Sequence, residues 1–131
     1  MALRSVRVAA AAVVAGVVVG CGATPTRTVA SACSVLDDLT LRQVSLPSPA
    51  DAHELIAEFA RLEHVIPEEH AADVRALRDG IDRVMQLADE HGQVRDLSGL
   101  PDDARREATE TLQALTWPAR RLEEFRRTEC G

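Results

Sequence analysis

The sequence predicts an all-α protein. Three observations carry that reading. Apolar residues recur at three- and four-residue spacing in four successive stretches. No stretch alternates apolar and polar residues over a useful length. Prolines and one glycine fall between the stretches, where they end one helix and open the next. The architecture expected is an antiparallel four-helix bundle.

Each element has its own local reason. Val29, Ala32, Cys33, Leu36 and Leu39 set helix one at about 29–42. Pro47 and Pro49 break the chain. Ser48 is placed to cap helix two, with Pro49 at its first position and Asp51 in its first turn. Ala52, Leu55, Phe59, Leu62 and Ile66 form its stripe. Pro67 ends helix two and opens helix three, where Glu68 and Glu69 meet the positive end of the dipole. Val74, Leu77, Ile81, Val84 and Ala88 give helix three a bundle seam. Gly92 is its expected stop. The longest connection follows, at 92–100.

Pro101, Asp102 and Asp103 start helix four. Its stripe is Ala104, Ala108, Leu112, Leu115, Ala119, Leu122 and Phe125. Pro118 stands inside it, removing one backbone bond and crowding the preceding turn. The stripe stays in phase across Pro118, so one helix kinked there is expected, not two. Exposed faces offer Asp79 with Arg83, Asp102 with Arg106 and Glu123 with Arg127, each worth about 0.2–0.5 kcal/mol.

Composition excludes several classes of function. The 15 basic residues are all arginine and include Arg4 and Arg7, so residues 21–131 hold 13 against 21 acids. A domain this acidic lacks the basic stripe that nucleic-acid binding needs. Phe59, Trp117 and Phe125 are the only aromatic residues of the Phe, Trp and Tyr types, too few for a stacking platform. Arginine without lysine, alongside much Ala and Val, points to a high-GC genome.

No catalytic pattern emerges. Ser31, Ser34, Ser45, Ser48 and Ser98 include no Gly-x-Ser-x-Gly elbow, and no glycine-rich phosphate loop exists. The carboxylates fall on charged helix faces. A non-enzymatic protein without cofactor is expected. His64 and His70 flank Glu68 and Glu69, but not at the spacing of a helical zinc pair. They read as polar residues at a helix junction, with no metal, while His53 and His91 read as surface residues. Trp117, beside Pro118, is expected as buried or half-buried filler; the other reading has it line a ligand cleft at the kink. Arg120, Arg121, Arg126 and Arg127 alternate with Glu123, Glu124 and Glu129. A mixed salt-bridged face is expected there, with contact to anionic headgroups as the alternative.

The start of the chain carries the most specific signal. Arg4 and Arg7 stand in a segment free of acids, and residues 8–19 are all Val, Ala or Gly. Twelve residues fall short of the about 20 that a spanning helix needs, and they suit the apolar region of an export signal. Val18, Val19, Gly20 and Cys21 follow directly. This run resembles the lipobox of a bacterial lipoprotein signal peptide. The resemblance implies cleavage between Gly20 and Cys21 and a diacylglyceryl thioether on Cys21. It implies an extracytoplasmic protein anchored through that lipid to the outer face of the cell membrane. With Cys21 acylated, Cys33 and Cys130 remain, and outside the cytoplasm such a pair is expected to form a disulfide. In an up-down-up-down bundle those two residues meet at one pole.

The expected organisation is therefore a signal peptide at 1–20, a lipidated cysteine and flexible tether at 21–28, and a helical domain at 29–131. The chain is similar to the small exported helical lipoproteins common in actinomycetes. The shared features are the lipobox, a cysteine early in the first mature helix, a Pro-Glu turn after helix two, and the final Glu129-Cys130-Gly131. That similarity implies a location and a disulfide-closed helical domain, and carries over no catalytic residue. Helix three is longer than helix one by about ten residues. The distal parts of helices three and four should therefore project as a hairpin, away from the membrane. That overhang is the expected contact surface for an envelope protein partner, and such a role predicts an exposed apolar patch there, while uniform charge would argue the other way. The alternative is a carrier holding an apolar ligand, a lipid or haem, between helices near Trp117.

Overall fold

A computed structural model describes residues 26–41, 49–92, 94 and 96–131. Among the described residues five α-helices follow one another: α1 Val29–Leu41, α2 Pro49–Val65, α3 Glu68–Glu90, α4 Asp102–Ala114 and α5 Thr116–Glu129. A 3-10 turn, Leu97–Gly99, precedes α4. No strand occurs among the described residues, so the all-α reading holds. The whole of 1–20, Cys21 and the expected cap Ser48 lie outside the described residues.

The chain is fastened where α1 begins. Thr28 caps α1: its hydroxyl oxygen accepts from the Ser31 N–H at 3.1 Å and its carbonyl from the Ala32 N–H at 3.0 Å. The Thr28 hydroxyl also donates to Ser31 Oγ at 2.8 Å. The Thr28 N–H donates to the Val65 carbonyl at 2.9 Å. Arg27 Nη1 donates to the carbonyls of Glu63 at 2.7 Å and Ile66 at 2.9 Å. Arg27 Nε lies 3.1 Å from a Glu68 carboxylate oxygen. The last carbonyls of a helix have no partner of their own; here Arg27 and Thr28 supply donors. The segment expected as tether, 21–28, thus has its last two residues held on the end of α2.

Two hydrophobic clusters form. The first joins Ala32, Val35 and Leu36 of α1 to Leu62 of α2, Ile66, Ala71, Val74 and Leu77 of α3, and Leu122 and Phe125 of α5. Leu62, Ile66 and Val74 are wholly buried. The second contains Leu87, Leu100, Ala104 and Ala108, with Val84, Val94 and Leu97 against it. It takes nothing from α1 or α2, and α4 packs only on α3, α5 and the 3-10 turn. The distal hairpin therefore has a small core of its own.

Along α3 the partners run in descending order. His70 meets Phe125, Asp73 meets Arg121, Gly80 faces Leu115, and Arg83 meets Glu107. At the far end, Gly92 takes a positive φ of 86°, a backbone state that suits glycine, and α3 stops as expected.

Two sequence expectations need correction. The fourth helix does not continue through a kink at Pro118. It is interrupted at Leu115, one turn earlier, and α5 restarts at Thr116. The proline ring crowds the carbonyl four residues back, at Ala114, and leaves it without its donor. Ala114 is the last residue of α4, so the break falls where the proline acts and not where it sits. The ion pairs also differ. Asp102 takes Arg105, Asp103 takes Arg106 and Glu123 takes Arg126, each three residues on. Asp79 meets its neighbour Arg78, and Arg83 reaches across to Glu107 at 2.6 Å. Spacings of three and four are both neighbours on a helix surface, so side-chain torsions decide between them.

Gly80 is where α3 admits the broken helix. A Cβ at Gly80 would stand 2.7 Å from Leu115 Cδ2 and 2.8 Å from Cδ1. Gly80→Val should destabilise the domain by about 1–3 kcal/mol through overpacking. In combination with Leu115→Ala the losses should be less than additive by about 0.5 kcal/mol or more. Urea unfolding of the four proteins checks this, and strict additivity would refute the contact.

Candidate functional surface

The Cys33–Cys130 disulfide is formed, with Cα atoms 5.4 Å apart. It joins α1 to the residue that ends α5, across 97 positions of sequence. Beside it lie the start of α1, the end of α2 and the start of α3, where His70 packs on Phe125 with ring centroids 4.7 Å apart. His70 is thus engaged with an aromatic ring. No group of three or more His, Cys, Asp or Glu side chains able to hold a metal occurs among the described residues.

Polar groups between helices are committed to one another. The buried Glu63 of α2 accepts from Arg75 Nε at 2.8 Å and from Arg78, both on α3. Arg121 forks onto Asp73 with three contacts of 2.5–3.0 Å. These hydrogen bonds to Asp73 raise the Arg121 pKa above its ordinary value. Glu107 does the same to Arg83. The Arg126 guanidinium holds the Glu123 carboxyl below its ordinary range. The hydroxyl and N–H of Ser98 do likewise for Asp96, which caps the 3-10 turn. Each shift favours the ionised form, so these groups carry their charge at neutral pH.

Trp117 departs from expectation. It is 62% exposed, while Pro118 beside it is buried. Pro118, Leu122 and Phe125 fall at spacings of four and three and face inward. Trp117, one residue before that line, is left on the flank, outside both clusters. The Arg120 guanidinium lies 4.9 Å from the Trp117 ring, a cation–π contact. Leu112 of α4 is 41% exposed on the other side of the break. Trp117, Leu112 and Val29 are the large hydrophobics exposed among the described residues.

The hairpin tip is polar. Residues 82–110 hold eight acidic residues against four arginines, and no large exposed hydrophobic stands there. The expected basic cluster on α5 separates into two kinds. Arg121 and Arg126 are committed to Asp73 and Glu123. Arg120 and Arg127 make no direct ion pair among the described residues, though Arg127 joins Arg126 in lowering the Glu123 pKa.

No helix among the described residues is long and apolar enough to cross a membrane. No family model, curated protein or solved structure matches the chain.

Proposed function

We propose that this protein is a membrane-anchored envelope lipoprotein whose helical domain acts, without catalysis, as a protein-interaction module. One observation carries the reading: Val18-Val19-Gly20-Cys21 directly follows an acid-free start and an apolar run. Cysteine usage supports it. The pairing of Cys33 with Cys130 leaves Cys21 as the odd thiol, at the one position where lipoprotein processing uses a sulfur. A disulfide across the domain also suits an oxidising compartment.

The finer arrangement is an antiparallel four-helix bundle in which α4 and α5 together serve as the fourth member. The descending order of partners along α3 supports this, as does the bonding of α1's start to α2's end. Anchoring at Cys21 keeps the disulfide pole close to the membrane and makes the α3–α4 hairpin the end farthest from the tether. The apolar patch expected on the hairpin is absent from its described residues, which counts against an apolar contact; the form left for the module is a polar contact between the acidic hairpin and a basic partner surface. The alternative is a carrier holding an apolar ligand between helices near Trp117; the exposure of that side chain favours it less.

Mass spectrometry of the protein purified from its own membrane tests the anchor. The expected chain starts at Cys21 and carries the added mass of diacylglycerol. Cys21→Ser should remove the lipid and release the protein from the membrane fraction. An unmodified chain starting at Met1 would refute the anchor. A photo-crosslinker at Glu90 tests the module: it should give one discrete adduct, lost on reversing the charges of Asp102 and Asp103. An adduct unaffected by the reversal would refute the acidic contact.

A further inference from the structure

We propose that α5 is a bilayer-facing surface: Trp117, with Arg120 and Arg127, lies against the anionic headgroups of the membrane that holds the Cys21 lipid. This rests on the anchored reading above. Three observations support it.

The first is reach. Arg27 is pinned to the end of α2, so free tether cannot extend beyond residue 26. Six residue steps from Cys21 to Arg27 span at most about 20 Å. α5 has 14 residues, about 21 Å at a helical rise, and the disulfide ties its end to α1. Its whole length can therefore lie down on the surface to which the tether is anchored.

The second is charge. The domain as a whole is acidic, and an anionic bilayer repels it in most orientations. Arg120 and Arg127 make no direct ion pair among the described residues; Arg127 adds to the field on Glu123 without touching it. They fall seven residues apart, on the same side of α5. Glu123 on that side is neutralised by Arg126, at 2.5 Å, which leaves Glu124 and, from α1, Asp37 as opposing charges. With Arg120 and Arg127 the flank is close to balanced, in a domain that is acidic as a whole.

The third is the tryptophan. A ring 62% exposed beside an arginine has the chemistry of the membrane interface, where the indole sits at headgroup depth.

Trp117 is the only tryptophan in the chain, so its fluorescence reports on this contact alone. The experiment uses the lipidated protein from its native membrane, reconstituted into phosphatidylcholine vesicles with and without phosphatidylglycerol. With phosphatidylglycerol, Trp117 emission should shift to shorter wavelength. Acrylamide quenching should fall, and lipids brominated near the headgroup should quench it. Reversing charge at Arg120 and Arg127 together should abolish all three effects while circular dichroism stays helical. Trp117 emission unchanged from that of the detergent-free soluble Cys21→Ser protein would overturn the proposal, freeing this flank for a protein partner. The mass of the Cys21 peptide from the same preparation separates the two failures. An acylated chain with a water-exposed Trp117 refutes only the contact. A chain without acyl groups refutes the anchor and the contact together.

Discussion

Replacing Cys33 and Cys130 together with serine should lower the stability of the domain by about 2–5 kcal/mol. The bond closes a loop over 97 positions. The chain-entropy model puts a loop of that size near 4.7 kcal/mol. Losses below that ceiling are expected, because α1 keeps other fastenings. The Thr28 and Arg27 bonds to the end of α2 survive reduction, as do the contacts of Ala32, Val35 and Leu36. For a domain of about 100 residues each kcal/mol moves the melting temperature by roughly 4–8 °C. Thermal unfolding with and without reductant measures the effect. A shift under about 4 °C would mean that the two ends of the domain are already held together by packing.

Leu62→Ala should cost about 2–5 kcal/mol. Leu62 has no exposure and lies in the cluster that joins α1, α2, α3 and α5. Truncation removes transfer energy and leaves a cavity that four helices must close around. The adjacent Glu63 resists such a collapse, since Arg75 and Arg78 pin it to α3. Leu112→Ala is the control. That side chain is 41% exposed and belongs to neither cluster, so its loss should stay near 0.5 kcal/mol. Urea unfolding of both variants checks the difference, and equal losses would contradict the burial pattern.

The two clusters also explain how legible this chain was. Helix positions followed from periodicity, because a stripe such as Val74, Leu77 and Val84 has no other way to leave water. The stop at Gly92 was legible because only glycine readily takes that φ. The cap at Thr28 was not recognised, although Thr28 and Ser31 stand three apart, as a capping pair does. The threonine-rich composition around it read as spacer. Arg27 carried no local signal at all; its partners Glu63, Ile66 and Glu68 are 36 or more residues away.

The sequence by itself determined the helical class, the limits of the first three helices and the two cysteines that pair. These depend on residues near one another, or on counts. The tertiary structure decided where the fourth helix breaks and which way Trp117 faces. It also decided which arginines pair directly with a carboxylate. Those follow from what packs opposite: Leu115 seated against Gly80, Asp73 holding Arg121, and a proline whose clash is felt one turn before it. A stripe in phase on paper cannot show that break, because periodicity records direction around a helix axis and not whether the axis is continuous.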